Sequence, residues 1–269
     1  MKKAQSVGLI GTGNLTDSPL TRFWWLSERL GPVKSATYRV ASRIANMLQA
    51  GHPVKDYAEF ETCVLVLVCV PEETLPQVVS EMLSAEISWR GKAVVLCSTW
   101  MDSGELRDLS ARGASVGSIS PIPGFDDERY LVEGDSLAVR ESRRLVEHRE
   151  RRAVAIERPL KPFFLAALTC TGTLLFALLR VALESLQRSG IPAGFSAALL
   201  ERQLERTLRS FLKGGRRAYP PPRQLTGQLR ALSAASPELA HYLEQSCGLA
   251  SLLMTARPPQ RPMEKGQSV

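Results

Sequence analysis

The sequence has 269 residues, of which 44% are hydrophobic and 23% are charged. This length allows one large or two modest domains, and the composition excludes wholesale disorder and a protein with many membrane spans. Lys and Arg outnumber Asp and Glu by 34 to 27, so the formal charge of +7 favours an anionic partner: a nucleotide, a nucleic acid or a membrane surface.

The first half of the chain alternates strand-like and helix-like segments. Residues 6–10 form a short apolar run that ends in glycines, and residues 63–70 are continuously apolar, as in a strand covered on both faces. Further strand patterns lie at 93–97 and 114–118, with helical patterns at 75–83 and 103–111. The alternation predicts an α/β domain with a doubly wound sheet.

The second half of the chain is predicted to be helical. No strand pattern follows residues 153–156, and prolines flank Lys161, so we place a domain boundary after Arg158. Helical patterns then occupy 163–189, 193–212, 224–234 and 237–254, and Ser236-Pro237 is typical of a helix start. The predicted organisation is a first domain at 1–158, a helical domain at 159–255 and a disordered basic tail at 256–269.

An uncharged stretch at 162–179 is nearly long enough to span a membrane. Its centre, residues 169–173, carries threonines and a glycine, and Arg180 and Glu184 continue the same helical pattern. We therefore expect a helix buried inside a soluble dimer, and no membrane partner.

The cysteines favour a reduced, cytoplasmic protein. There are five, none in a C-x-x-C pair, and most lie in apolar runs. The apolar run after Lys2 and Lys3 is too short for a signal peptide, so no targeting segment is expected. His, Cys and acidic residues do not cluster at ligand spacing, so no metal site is expected.

Glycines follow the first predicted strand in the pattern of a dinucleotide-binding turn. Gly11 permits the tight turn, and Gly13 lets the backbone approach a pyrophosphate. The third glycine position is Thr16, and Pro19 indicates that the following helix begins late, which would weaken the site.

The end of the second strand, predicted near 33–38, indicates which cofactor is preferred. An acidic residue there would bind a ribose 2′-hydroxyl, but the sequence has Arg39, with Arg43 one helical turn later. Guanidinium groups suit a 2′-phosphate, so NADP(H) is preferred. The alternative is that both arginines belong to a solvated helix face.

The successive motifs resemble those of the 6-phosphogluconate dehydrogenase-like superfamily, in particular pyrroline-5-carboxylate reductase and its uncharacterised Rossmann-like relatives. They are Ile10 to Leu15, Tyr38-Arg39, Val68 to Pro71 and Val116 to Pro121, followed by Lys161 at the head of a long helix. The resemblance implies a Rossmann domain that binds a nicotinamide dinucleotide and a helical domain that forms a homodimer and closes the substrate pocket.

The resemblance also assigns roles to individual residues. It places substrate between Ser120-Pro121 and the helix from Lys161 to Thr173. Lys161 is the candidate acid or electrostatic clamp, and Thr171 and Ser120 are candidate hydrogen-bond donors. For the cofactor, the resemblance implies that Arg39 contacts the 2′-phosphate. It implies that the nicotinamide end is contacted by Val70, Pro71 and Ser98, and that the pyrophosphate is contacted by Gly11, Thr12, Gly13, Asn14 and Leu15.

Three functions remain open from the sequence. The first is an NADP(H)-dependent reductase that delivers hydride to a C=N or C=O bond of a small molecule. The second is a catalytically degenerate dimeric scaffold or nucleotide-sensing protein, which is supported by departures from the family's pattern at Thr16, Pro19, Leu165 and Gly172. The third, nucleic-acid binding, has less support: Glu141, Glu147 and Glu150 interleave with the arginines of 140–152 at helical spacing, as on a salt-bridged surface.

Overall fold

The structure is a computed structural model that describes residues 7–12, 29–124, 129–147, 151–220 and 224–255. The strands are β1 (Val7–Gly11), β2 (Leu30–Lys34), β3 (His52–Pro53), β4 (Leu65–Cys69), β5 (Ala93–Cys97), β6 (Ser115–Pro121), β7 (Arg129–Gly134) and β8 (Arg152–Ala155). The α-helices are α1 (Tyr38–Leu48), α2 (Leu75–Ser84), α3 (Arg107–Ala111), α4 (Ser136–Glu147), α5 (Lys161–Thr169), α6 (Leu175–Arg188), α7 (Ala193–Gly214), α8 (Leu225–Ala235) and α9 (Pro237–Thr255). The predicted tail, 256–269, lies outside the described residues.

The strands form one eight-stranded sheet in the order β3-β2-β1-β4-β5-β6-β7-β8. All of its pairs are parallel except β6–β7, which is antiparallel. Every residue of β1, β4 and β5 is buried, as the continuous apolar runs predict for strands covered on both faces. The predicted α/β fold, a Rossmann sheet followed by helices, is confirmed.

Successive side chains of the central strands enter two different cores, because side chains alternate across a sheet. Leu9 packs in one core with Ile44 of α1 and Leu145 of α4. Ile10 packs in the other with Met82 of α2 and with α3. The carboxyl ends of the parallel strands meet at one edge of the sheet, where ligands of such folds bind.

Glycine is required at position 8 in β1 because another side chain packs close to its Cα atom, and not because of its backbone angles. A Cβ atom at this position would lie 2.4 Å from a ring carbon of Phe60, which is fully buried. Any larger residue would have to displace this aromatic ring from the core.

The second strand ends earlier than predicted, which changes the position of Arg39. The strand is Leu30–Lys34, and α1 begins at Tyr38 with Thr37 as its N-cap, whose Oγ1 accepts a hydrogen bond from Val40 N at 3.3 Å. The prediction of a strand to Tyr38 was wrong, because the threonine cap starts a helix there. Arg39 therefore lies exposed in the first turn of α1.

β7 and its antiparallel pairing with β6 are not predicted by the sequence pattern. Glu133 interrupts the apolar run of β7, and its side chain is only 1% exposed. A buried carboxylate needs partners, and those of Glu133 lie 15 and 30 residues away in the sequence, so the local pattern does not reveal them.

The chain forms two compact units, Met1–Leu168 and Thr169–Val269. The predicted division after Arg158 lies ten residues before the boundary between these units, so that most of α5 belongs to the first unit. The predicted helices of the second half are observed, each with ends close to those expected. Between α5 and α6 the helix widens into a π-helical segment, Cys170–Leu174.

Within the described part of the chain, the helix Arg158–Arg188 is long and apolar enough to cross a membrane. An 18-residue window of this helix has a mean hydropathy of 1.9. A core helix of a soluble protein meets the same criterion. Among the described residues the expected burial is not found, since Phe163 and Phe176 are 72% and 73% exposed.

Candidate functional site

A cavity of about 90 Å³ lies at the carboxyl ends of β1, β2 and β4. It brings together Gly11, Thr12 and Val70, three residues predicted to hold a dinucleotide. Its remaining lining is contributed by Ile10, Lys34, Ser35, Ala36, Tyr57, Thr74, Gln77, Val78 and Glu81. The glycine-rich turn therefore opens into a cavity, but its later residues Gly13, Asn14 and Leu15, with Thr16 and Pro19, lie outside the described part of the chain.

Polar and cationic groups follow β2 at this cavity. The residues after the strand are Ser35, Ala36 and Thr37, so no carboxylate occupies the position that would bind a ribose 2′-hydroxyl. The Ser35 hydroxyl is buried and has no hydrogen-bond partner among the described residues. Lys34 places its ammonium 4.6 Å from the centre of the Tyr57 ring. Arg39 is not part of the cavity lining.

Glu81, an acidic residue that lines the cavity, accepts hydrogen bonds from its neighbours. Tyr57 Oη donates a hydrogen bond to Glu81 at 3.3 Å, and Gln77 Nε2 donates one at 3.1 Å. Burial, then the charge of Glu81 and the hydrogen bond to it, raise the pKa of Tyr57. Tyr57 is therefore a neutral, fixed wall of the cavity.

A buried ammonium group lies beyond the carboxyl end of β5. Lys161 is completely buried, and its Nζ donates to Ser98 O at 3.1 Å, Met101 O at 2.5 Å and Ser118 Oγ at 2.7 Å. Burial lowers the pKa of Lys161, and the charges of Glu133 and Asp102 oppose that effect. The structure thus brings the predicted residues Lys161 and Ser98 together, but three acceptors occupy all three N–H groups of the lysine.

The counter-charge of Lys161 is Glu133, which the sequence analysis missed. The hydroxyl of Ser118 accepts from Lys161 and donates to Glu133 Oε1 at 2.5 Å. Glu133 also accepts from Ser103 N at 2.8 Å and from Ser103 Oγ at 2.7 Å. The one available signal was an acidic residue inside an apolar stretch, which indicates a buried partner without naming it.

The other two predicted catalytic residues, Ser120 and Thr171, belong to different units. Ser120 lies two residues after Ser118 in β6, is fully buried, and its hydroxyl has no hydrogen-bond partner among the described residues. Thr171 lies in the π-helical segment of the second unit and is exposed. The catalytic roles of Lys161, Ser120 and Thr171 stay predictions.

Two thiols, those of Cys69 and Cys97, lie buried in contact at the ends of β4 and β5. Burial, then the hydrogen bond and charge interaction with Cys97, raise the pKa of the Cys69 thiol well above its ordinary value. A thiol with a raised pKa is a poor nucleophile, so Cys69 acts as a core side chain.

The arginine-rich segment of α4 forms the salt-bridged surface that its spacing predicts. Arg140 and Arg144 contact Glu141 at 3.2 and 2.9 Å, and Arg143 contacts Glu147 at 3.3 Å. These charges are therefore compensated within the helix. Glu150 lies outside the described residues.

The fold is a Rossmann sheet followed by long helices, and solved reductase structures share it. The chain is similar over most of its length to an imine reductase from Aspergillus terreus, with a TM-score of 0.67, 19% identity, and coverage of 92% of this chain and 93% of that one. The expected superfamily resemblance is confirmed at the level of fold.

Two further solved structures agree. A reductive aminase from Aspergillus terreus in complex with NADPH and ethyl-5-oxohexanoate has a TM-score of 0.64 and 17% identity, covering 92% of this chain and 94% of its own. An imine reductase variant from Myxococcus stipitatus in complex with NAD⁺ has a TM-score of 0.63 and 14% identity, covering 93% and 94%. No protein-family model matches the chain, and no curated protein is significantly similar to it.

Proposed function

We propose that this chain is an NADP(H)-dependent reductase of the pyrroline-5-carboxylate reductase-like group, which delivers hydride to a C=N or C=O bond of a small molecule. The observation that carries the proposal is the cavity at the ends of β1, β2 and β4, in which Gly11 and Thr12 face a strand end without a carboxylate. The fold shared with NADPH-bound enzymes supports it.

The residues present fit a dinucleotide. The buried, unpaired hydroxyl of Ser35 supplies a polar group for a ribose or phosphate oxygen, and Lys34 and Arg39 supply cations near the same strand end. Gly11, Thr12, Gly13, Asn14 and Leu15 would hold the pyrophosphate, and Val70, Pro71 and Ser98 the nicotinamide end. When bound, the cofactor supplies the hydride.

The chain's own part in the reaction is to bind and orient. An imine that is already protonated needs positioning and one hydrogen-bond donor more than a strong acid. We assign the donor role to Ser120 and Thr171, and an electrostatic role to Lys161, whose N–H groups are engaged within the protein.

A homodimer completes the proposal. The exposed apolar side chains of the second unit would be covered by a second copy of the chain, since large apolar surfaces mark interaction sites. We also propose a cytoplasmic location, because the cysteines are free thiols, three of them buried (Cys63, Cys69 and Cys97). We propose no metal, nucleic-acid or membrane partner.

One observation favours the second candidate, a nucleotide-binding scaffold without catalysis. The ammonium of Lys161 is saturated by acceptors and the Ser120 hydroxyl is buried, so the first unit offers no exposed acid among these predicted residues. A scaffold would bind NADPH and fail to oxidise it with any imine or carbonyl compound.

The test is a titration of the purified protein with NADPH and NADH, followed by nicotinamide fluorescence and melting temperature. We expect micromolar NADPH binding that Arg39→Ala weakens by about tenfold, the loss expected of a charged contact. Arg112→Ala, at an exposed arginine that does not line the cavity, is the matched control. Absence of any shift with either nucleotide overturns the proposal.

A further inference from the structure

The segment from Ser98 to Ser103 connects β5 to the turn before α3, and its two ends are fixed by the same buried groups. Ser98 O and Met101 O accept hydrogen bonds from Lys161, whereas Ser103 donates two hydrogen bonds to Glu133. We call this segment the β5 loop. Between its fixed ends, Trp100 is 60% exposed.

The groups that fix the β5 loop form one continuous network. Ser118 lies opposite Glu133 in the antiparallel β6–β7 pair, and its hydroxyl joins Glu133 to Lys161. Lys161 and Glu133 are 0% and 1% exposed, and Ser118 is 1% exposed. All three ammonium protons and both carboxylate oxygens have partners, which is the condition for a buried ion pair to be tolerated.

Burying such a network costs free energy, so its presence needs a physical explanation. Two charges must be removed from water, and a well-packed apolar set of the same volume is often at least as stable. The ionic network makes directional hydrogen bonds. These hold backbone carbonyls and an amide of the loop at defined points, which apolar contacts do not do.

We infer that Lys161, Ser118 and Glu133 are positioning residues that hold the β5 loop in the one conformation that receives the nicotinamide half of the cofactor. This inference rests on the proposed function. The β5 loop leaves the carboxyl end of a parallel strand next to β4, at the edge where ligands of such sheets bind. None of its residues lines the cavity at the ends of β1, β2 and β4.

The separation of loop and cavity gives a selective test. NADPH carries the nicotinamide half, whereas adenosine 2′,5′-bisphosphate carries only the adenosine half with its 2′-phosphate. Ser118→Ala removes the bridging hydroxyl with little change of volume. We expect it to raise the Kd of NADPH by about tenfold and to leave the Kd of adenosine 2′,5′-bisphosphate within about twofold.

Hydrogen–deuterium exchange of the full-length protein without nucleotide provides a second measurement. The amides of Trp100, Met101 and Ser103 in the loop, and of Gly104 directly after it, all donate hydrogen bonds, so their exchange reports opening of the loop. Ser118→Ala should accelerate their exchange. Ser142→Ala, at a buried serine of α4, is the control and should change neither exchange at the loop nor either affinity.

The outcomes separate the inference from the proposed function. Equal weakening of both ligands, or no weakening of either, overturns the inference while the enzyme proposal stands. A wild-type protein that binds neither ligand overturns the proposed function. Unchanged exchange at the loop in Ser118→Ala overturns the inference whatever the nucleotides do, and Glu133→Gln repeats the comparison with a second variant.

Discussion

The ammonium nitrogen of Lys161 lies 2.7 Å from the hydroxyl oxygen of Ser118, a residue 43 positions earlier in the chain. This contact joins the first residue of α5 to the middle of β6. The same hydroxyl donates to Glu133 on β7, so one serine connects a buried cation with a buried anion. Lys161, which the sequence indicates as a candidate acid, is thus held by hydrogen bonds to buried groups of the first unit.

Removal of either charge should strongly destabilise the protein. We expect Lys161→Met and Glu133→Gln each to lower the free energy of unfolding by about 3–5 kcal/mol, because each leaves a buried charge without its partner. The double variant should lose less than the sum of the two. Urea unfolding of the four proteins gives the coupling energy, and strict additivity would show that the two charges act independently.

Alanine at position 8 should disrupt the core around Phe60. The added Cβ would lie 2.4 Å from the ring, and overpacking of this kind costs about 1–3 kcal/mol. Gly227→Ala is the control, because its Cβ would meet no atom within 4 Å in α8, and it should stabilise by about 0.5–1 kcal/mol. Equal stability of Gly8→Ala and the wild type would contradict the packing around β1.

The stability difference between the wild type and Tyr57→Phe should depend on pH. Burial and Glu81 raise the pKa of Tyr57, while an unfolded tyrosine titrates near about 10. Below pH about 10 both states keep the proton, and the wild type should be more stable by about 0.5–1.5 kcal/mol through the hydrogen bond to Glu81.

Above that pH the unfolded chain loses the Tyr57 proton and the folded chain keeps it, so the advantage of the wild type should shrink as pH rises. Denaturant unfolding at two pH values, one on each side of the transition, measures this. Tyr38→Phe, at an exposed tyrosine of α1, is the control. A difference between wild type and Tyr57→Phe that grows with pH would contradict the assignment.

A charge on the exposed apolar surface of α6 should separate the proposed dimer. Phe176 is 73% exposed in the single chain, and Phe176→Asp would place a carboxylate in the covered interface. Analytical ultracentrifugation should show a dimer for the wild type and a monomer for the variant, with Gln187→Asp on the same helix as control. Wild-type protein that is monomeric in solution, or that partitions into membranes, would contradict the dimer.

Local patterns were sufficient for most of the secondary structure. The apolar run at 63–70 predicts β4 because a strand with an uninterrupted set of apolar side chains is stable only when both faces are covered. Ser236-Pro237 predicts the start of α9 because capping chemistry is local. Arg39 was placed at the end of the second strand because the role of Thr37 as the N-cap of α1 was not recognised in the sequence.

The sequence by itself determined the class of fold, the glycine turn at Gly11 and the absence of a carboxylate after β2, because each depends on residues that are close together in the chain. Only the tertiary structure decided what Lys161 contacts. Ser98 and Ser118 contact it directly, and Glu133 is joined to it through the Ser118 hydroxyl. These partners come from separate segments, so no sequence window contains the groups that stabilise the buried charge.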